Sequence, residues 1–234
     1  MPIKSYGRGE TPDVHRWDGG CTWVAHPEET MHRASHAVAN DDGGVLVVEP
    51  VDVVGLDDLL AELGEVSGVA VLAGLHRRDA AAVARRHGVP VFLPATVAGL
   101  ASRVDAPVEV FEGTLPGTGF RAVPVLDGHP WSEAVLHDPA SGTLVATEVL
   151  VTSARTTGPG ERLAVGPYAR LQPPRDALAG LDVERVLVGH GPPLLADADA
   201  ALDHALANSY RGIPGYLLQD LVFMLRAGYV ALRD

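Results

Sequence analysis

"VAVLAGLHRRDAAAVARRHGVPVFLP" (69–94) carries the punctuation of an α/β unit. The apolar run "VAVLAGL" (69–75) reads as a buried strand, the alanine-rich segment 79–87 as a helix, and "VPVFLP" (89–94) as a second strand. Between strand and helix stand His76, Arg77, Arg78 and Asp79. Loops at strand ends are where α/β chains assemble sites from distant segments. "LHRRD" (75–79) is therefore either a ligand loop or an ordinary charged helix start, with Asp79 near the positive end of the helix dipole.

The pattern continues on both sides. Upstream, "CTWVAH" (21–26), "SHAVAN" (35–40) and "VLVVEP" (45–50) read as strands, the last covered on both faces. "DDGG" (41–44) supplies the Asp and Gly of a hairpin turn. Leu56, Leu59, Leu60 and Leu63 recur at helical spacing, so 55–64 reads as a helix closed by Gly64. Downstream, "PVEVFEG" (107–113) and "FRAVPVLD" (120–127) alternate like strands, and 133–151 reads as a hairpin turned by "DPASG". Residues 152–175 have no periodicity; a loop of that length often shapes a binding site. "VERVLVGHGPP" (183–193) is a strand that ends in a histidine turn, and helix follows from 196. The organisation expected is a polar N-terminal arm (1–20), one large domain (21–207) and a C-terminal helical extension (208–234). Its apolar stripe "LLQDLVFML" (217–225) would be core or a homodimer face.

Bulk properties exclude several classes. Of 234 residues, 47% are hydrophobic, enough for a sizeable core. Eighteen basic against 30 acidic residues give a formal charge of −12, which repels phosphate backbones and argues against nucleic-acid binding. The single cysteine, Cys21, allows no internal disulfide. "MPIKSYGRGETPD" lacks the apolar stretch of a signal peptide, and no apolar run approaches the roughly 20 residues of a membrane span. The expectation is a cytoplasmic protein with no membrane partner. A Gly-x-Ser-x-Gly elbow, a phosphate loop and a dinucleotide fingerprint are all missing.

Three further polar positions each follow an apolar strand: "DGHP" (127–130), "TEV" (147–149) and "GHG" (189–191). In this order, after "SHAVANDDGGVLVVEPVD" and the "LHRRD" loop, they resemble the metallo-β-lactamase fold over residues 20–207. That resemblance implies a four-layer αββα sandwich with metals at one edge of two packed sheets. Its usual loop is His-x-His-x-Asp-His, completed by a Gly-His, a bridging Asp and a final Gly-His. His129 falls on the first Gly-His, Glu148 on the bridging Asp, and His190 on the final His. The loop matches in part. If Asp79 is the motif's Asp, Leu75 and Arg77 replace the first two histidines and Ala80 the last. If His76 is the last histidine, Leu75 replaces the Asp, and Val71 and Ala73 the first two histidines.

Either register leaves too few ligands for two metals, which need a bridging group and two sets of donors. The resemblance then implies at most one zinc, iron or manganese ion, held by His76 or Asp79 with Glu148 and His190. His129 would orient or protonate a leaving group. Arg77 and Arg78 suggest an anion-binding pocket or an internal pair with Glu148. Two readings follow. One is a hydrolase of small esters, thioesters or phosphoesters with a reduced metal site. The other is a metal-free binding or scaffold protein on the same frame.

Overall fold

The structure, a computed structural model, describes residues 2–40, 43–128, 131–215 and 217. Seven strands form the larger sheet in sequence order: β1 (Asp13–Trp17), β2 (Gly20–Val24), β3 (Ala34–Ala39), β4 (Gly44–Val48), β5 (Glu65–Ala70), β6 (Val91–Pro94) and β7 (Val108–Phe111). The first three pairings are antiparallel and the last three parallel. Parallel neighbours need crossovers. Two of these are helices, α1 (Leu56–Ala61) and α2 (Ala80–His87), and the third is a kinked 3-10 segment, Ala95–Arg103.

A second sheet contains β8 (Arg121–Leu126), β9 (Glu133–Asp138), β10 (Thr143–Ala146) and β13 (Arg185–Val188), in the order β13-β10-β9-β8. β10 and β13 run parallel. A short ladder joins β11 (Leu150–Val151) to β12 (Ala164–Val165), and α3 (Arg175–Leu178) and α4 (Ala198–Asn208) follow.

Side chains on successive strand residues point to opposite faces, so each inner strand divides its residues between two cores. Val45 and Val47 pack with Leu56, Leu60 and Val83 of the helices, whereas Leu46 and Val48 pack inward with Leu136, Val145 and Leu187 of the second sheet. On that sheet, Leu144, Ala146, Val186 and Val188 face outward onto Leu178, Leu202 and Leu206. Three apolar layers thus lie between four structural layers, helix–sheet–sheet–helix. The continuous apolar runs at 45–48 and 186–188 follow from burial on both faces. The αββα sandwich expected from the sequence is the architecture observed.

Several boundaries differ from the sequence reading. Residues 13–17, placed in the polar arm, form edge strand β1, with only part of each side chain buried. β5 begins at Glu65 and ends at Ala70 rather than spanning 69–75. The 3-10 segment after Pro94 was not anticipated. Among the described residues, no helix is long and apolar enough to cross a membrane. The stripe 217–225, apart from Leu217, lies outside the described residues, and the homodimer face read there lies with it.

Candidate metal site

Two parallel pairs, β4 with β5 in one sheet and β10 with β13 in the other, deliver their C-terminal ends to one edge of the sandwich. Glu49 follows β4, His76 lies on the loop after β5, Glu148 on the turn after β10, and His190 on the turn after β13. Backbone contacts close this edge. Arg33 bridges to His190, Ala34 N–H donates to Gly189 at 2.9 Å, and Ala73 bridges to Glu133. The two sheets therefore fix these loops against each other.

His76, Glu148 and His190 converge, each offering one ligand atom, with all three atoms within 4.8 Å of one another. His76 and His190 are buried, and Glu148 is nearly so. His190 Nδ1 lies 2.8 Å from the Met31 carbonyl. A carbonyl only accepts, so Nδ1 carries the proton, and in the neutral ring Nε2 presents a lone pair to the cluster. His76 Nδ1 is 2.5 Å from Glu49 Oε2, which fixes its ring the same way and aims Nε2 inward. The two Nε2 atoms are 3.4 Å apart, and His190 Nε2 is 3.4 Å from Glu148 Oε1. His76 Nε2 contacts the same oxygen. Two imidazole lone pairs and a carboxylate oxygen facing one point form a three-donor set suited to one divalent ion. The second nitrogen of each ring is anchored as metal-ligating histidines require.

The electrostatics express the same concentration of acceptors. Burial works against a charged His76, but Glu49 and Glu148 outweigh it and push its pKa up to about 9. Burial also works against the Glu148 charge, yet the His190 and His76 rings against it hold its carboxyl well below the usual carboxylate range. Glu49 is fully buried and likewise lowered; against burial, His76 stabilises its charge, and Arg78 adds to this.

Asp79 does not join the cluster. It precedes α2, and its carboxylate accepts the Asp52 N–H at 2.8 Å. Arg77 points away and donates to the Arg103 carbonyl at the exposed surface. Arg78 turns inward, but its Nη groups donate to the carbonyls of Ala34, Glu49 and Gly189. Its carboxylate neighbour is Glu49 at 3.9 Å; among the described residues no ion pair joins it to Glu148. His129 lies outside the described residues.

Four contributors were not singled out from the sequence. Glu49 accepts Leu72 and Ala73 N–H, both at 3.1 Å, besides holding His76. Glu133 receives Thr147, Glu148 and Val149 N–H at 2.7, 2.9 and 2.7 Å, and so holds the turn that presents Glu148. Tyr168 donates its hydroxyl to Glu148 Oε2. The Met31 carbonyl orients His190. The only sequence signal for the two glutamates is a lone carboxylate that closes one apolar strand, in "VLVVEP", and opens another, in "EAVL".

The cluster forms the floor of a cavity of about 440 Å³. Leu75, Trp131 and Tyr168 give it an apolar rim, and Lys4 and Arg155 supply positive charge. The aperiodic 152–175 loop contributes Ser153, Arg155, Thr156, Pro167 and Tyr168 to the lining.

The sequence matches no family model and no curated protein. Solved structures do resemble the chain. FIM-1, a metallo-β-lactamase from Pseudomonas aeruginosa in its mono-zinc form, is 14% identical with a TM-score of 0.59, over 86% of this chain and 95% of that one. The DIM-1 metallo-β-lactamase is 12% identical with a TM-score of 0.59, over 85% and 96%. A metallo-β-lactamase from Erythrobacter litoralis is 14% identical with a TM-score of 0.54, over 85% and 100%. At such low identity these likenesses show the fold: the chain has the metallo-β-lactamase fold.

Proposed function

We propose that the protein is a hydrolase that holds a single divalent metal ion, zinc first among candidates, through His76, Glu148 and His190. The observation that carries this reading is the pair of anchored histidines. With both Nδ1 atoms bound to acceptors, both Nε2 atoms and Glu148 Oε1 face one another, and in neutral rings those nitrogens carry lone pairs with no donor between them. Such a group is poorly satisfied when the rings are neutral, and a cation satisfies it. An ion bound there would polarise a carbonyl or phosphoryl oxygen of the substrate.

The chain's own residues would do the rest. The apolar rim would take the body of a small ester, thioester or phosphoester and exclude water from it. Lys4, on the wall, favours a substrate that bears an anionic group. His129 would orient or protonate the leaving group. FIM-1 is described with one zinc ion, and that precedent supports a mononuclear site on this frame.

One observation favours a second reading. His76 sits between Glu49 and Glu148 with its pKa raised to about 9, so a metal-free protein would hold the cluster as an imidazolium paired with two carboxylates. That form would be a binding protein that uses the same cavity.

Elemental analysis of untagged protein separates the two. The metal reading expects one ion per chain, lost in His190→Ala, and a thermal shift when zinc is added back to chelated protein. Chelated protein that takes up no zinc, iron or manganese, and whose melting temperature none of them moves, leaves only the binder.

A further inference from the structure

The second oxygen of Glu148 is also engaged. Oε1 faces the two histidines, while Oε2 accepts the Tyr168 hydroxyl at 2.6 Å. Tyr168 lies 20 residues away in sequence, and a specific piece of backbone brings it there. The β11–β12 ladder pairs Leu150 with Val165 and Val151 with Ala164. Gly166 N–H then donates to Val149 at 2.8 Å, and Ala169 N–H turns back onto Gly166 at 2.9 Å. The approach is tight: a Cβ at Gly166 would stand 2.3 Å from the Glu148 carbonyl oxygen. On the other side, the Tyr168 ring stacks on Trp131, with centroids 4.6 Å apart and planes 25° from parallel. Ladder, glycine contact and stack together fix where the hydroxyl points.

We infer that Tyr168 is a positioning residue that holds Glu148 as a one-oxygen donor to the ion, an inference that rests on the metal reading of this site. A free carboxylate beside a cation can rotate and chelate with both oxygens, which raises the coordination number. A hydroxyl that donates to Oε2 opposes that rotation. It also places the positive end of its dipole where a second cation would approach. Tyr168 thus preserves the low coordination number that leaves a position for substrate.

Cobalt(II) replacing the native ion reports this directly, because its visible absorption is intense at low coordination number and weak at high. Chelated wild type and Tyr168→Phe are each titrated with cobalt, with far-ultraviolet circular dichroism to confirm the fold. Phenylalanine keeps the ring that stacks on Trp131 and removes only the hydroxyl. The expected result is one cobalt per chain with an intense band in wild type. In Tyr168→Phe the band weakens as the carboxylate chelates, and affinity falls by about 10–100-fold. An identical band in a folded Tyr168→Phe overturns the inference, whatever the affinity, and leaves the metal reading standing. Wild type that binds no cobalt overturns both. Should Tyr168→Phe not fold, Trp131→Leu, which releases the ring and keeps the hydroxyl, is judged by the same band: weakening supports the inference and an unchanged band overturns it.

Discussion

His76 illustrates how much a single side chain depends on a partner. Its Nε2 faces the cluster because Nδ1 is held by Glu49, a residue 27 positions earlier. Glu49 itself occupies a left-handed backbone conformation, with φ of 47°, which a non-glycine residue adopts at some cost. That conformation turns its carboxylate onto both the histidine and the loop amides. Glu49→Gln keeps the shape and one acceptor oxygen but loses the charge. It should weaken zinc binding about 10–100-fold, measured by competition with a chromogenic chelator. Unchanged affinity would mean that the His76 ring is held by packing alone. The sequence showed His76 and His190 because a histidine just after an apolar run is conspicuous. It left His76 and Asp79 undecided, since both lie on the short stretch between strand and helix. Only the fold shows that Asp79 turns back to the Asp52 amide. Glu49 was hidden because a carboxylate closing a strand ordinarily faces water, and nothing local signals that this one is fully buried.

At the scale of elements, the turn from β10 to β11 depends on Glu133. Its carboxylate gathers three consecutive backbone N–H groups that no ladder serves. Burial pushes its pKa up to about 7; the Glu148 and Thr147 amides pull down, while the charges of Glu148 and Glu49 add to the rise. A carboxyl whose folded pKa lies above its ordinary 4.5 retains its proton longer in the native state. Its contribution to stability is therefore whole below pH 4.5 and is lost as pH rises toward 7. The loss is at most about 3 kcal/mol by linkage. Urea midpoints of chelated protein at pH 5 and pH 8 should drop more for wild type than for Glu133→Gln, which cannot ionise. Equal drops would mean that Glu133 is already charged at pH 5, held by its amide donors. The elements that read well from sequence were those with strong periodicity. α2 is apolar along one face and the runs at 45–48 and 186–188 on both, and burial on both sides of a strand leaves no polar alternation to confuse. β1 was lost in the polar arm because it is an edge strand, where "DVHRW" has few side chains to bury. β12, two residues long, gives no period at all.

For the molecule as a whole, the question is what keeps two sheets in register at the edge where the cluster forms. The interior layer of Val48, Leu136, Val145 and Leu187 supplies attraction without direction. Direction comes from Arg78. Its guanidinium reaches Ala34 at the start of β3, Glu49 after β4 and Gly189 after β13, so one side chain spans both sheets beside the candidate ligands. The residue pays with a φ of 43°. The sequence suggested an anion site because paired arginines in a loop usually face solvent or ligand; a guanidinium turned onto backbone carbonyls looks identical in a string of letters. Arg78→Met fills much of the same volume but removes the guanidinium donor from the Ala34, Glu49 and Gly189 carbonyls, of which Gly189 keeps Ala34 N–H, and takes one of two cationic partners from Glu49. The expected destabilisation is about 3–5 kcal/mol, seen as a lower urea midpoint. Arg78→Lys should recover only part of it, since one ammonium cannot reach three carbonyls in different directions. A second consequence separates this from a local defect. If Arg78 sets the register of the sheets, the folded Arg78→Lys protein should also bind zinc more weakly, because His190 moves with Gly189. Wild-type zinc affinity in a destabilised Arg78→Lys would show that the backbone bridges at Arg33 and Ala73 hold the edge without it.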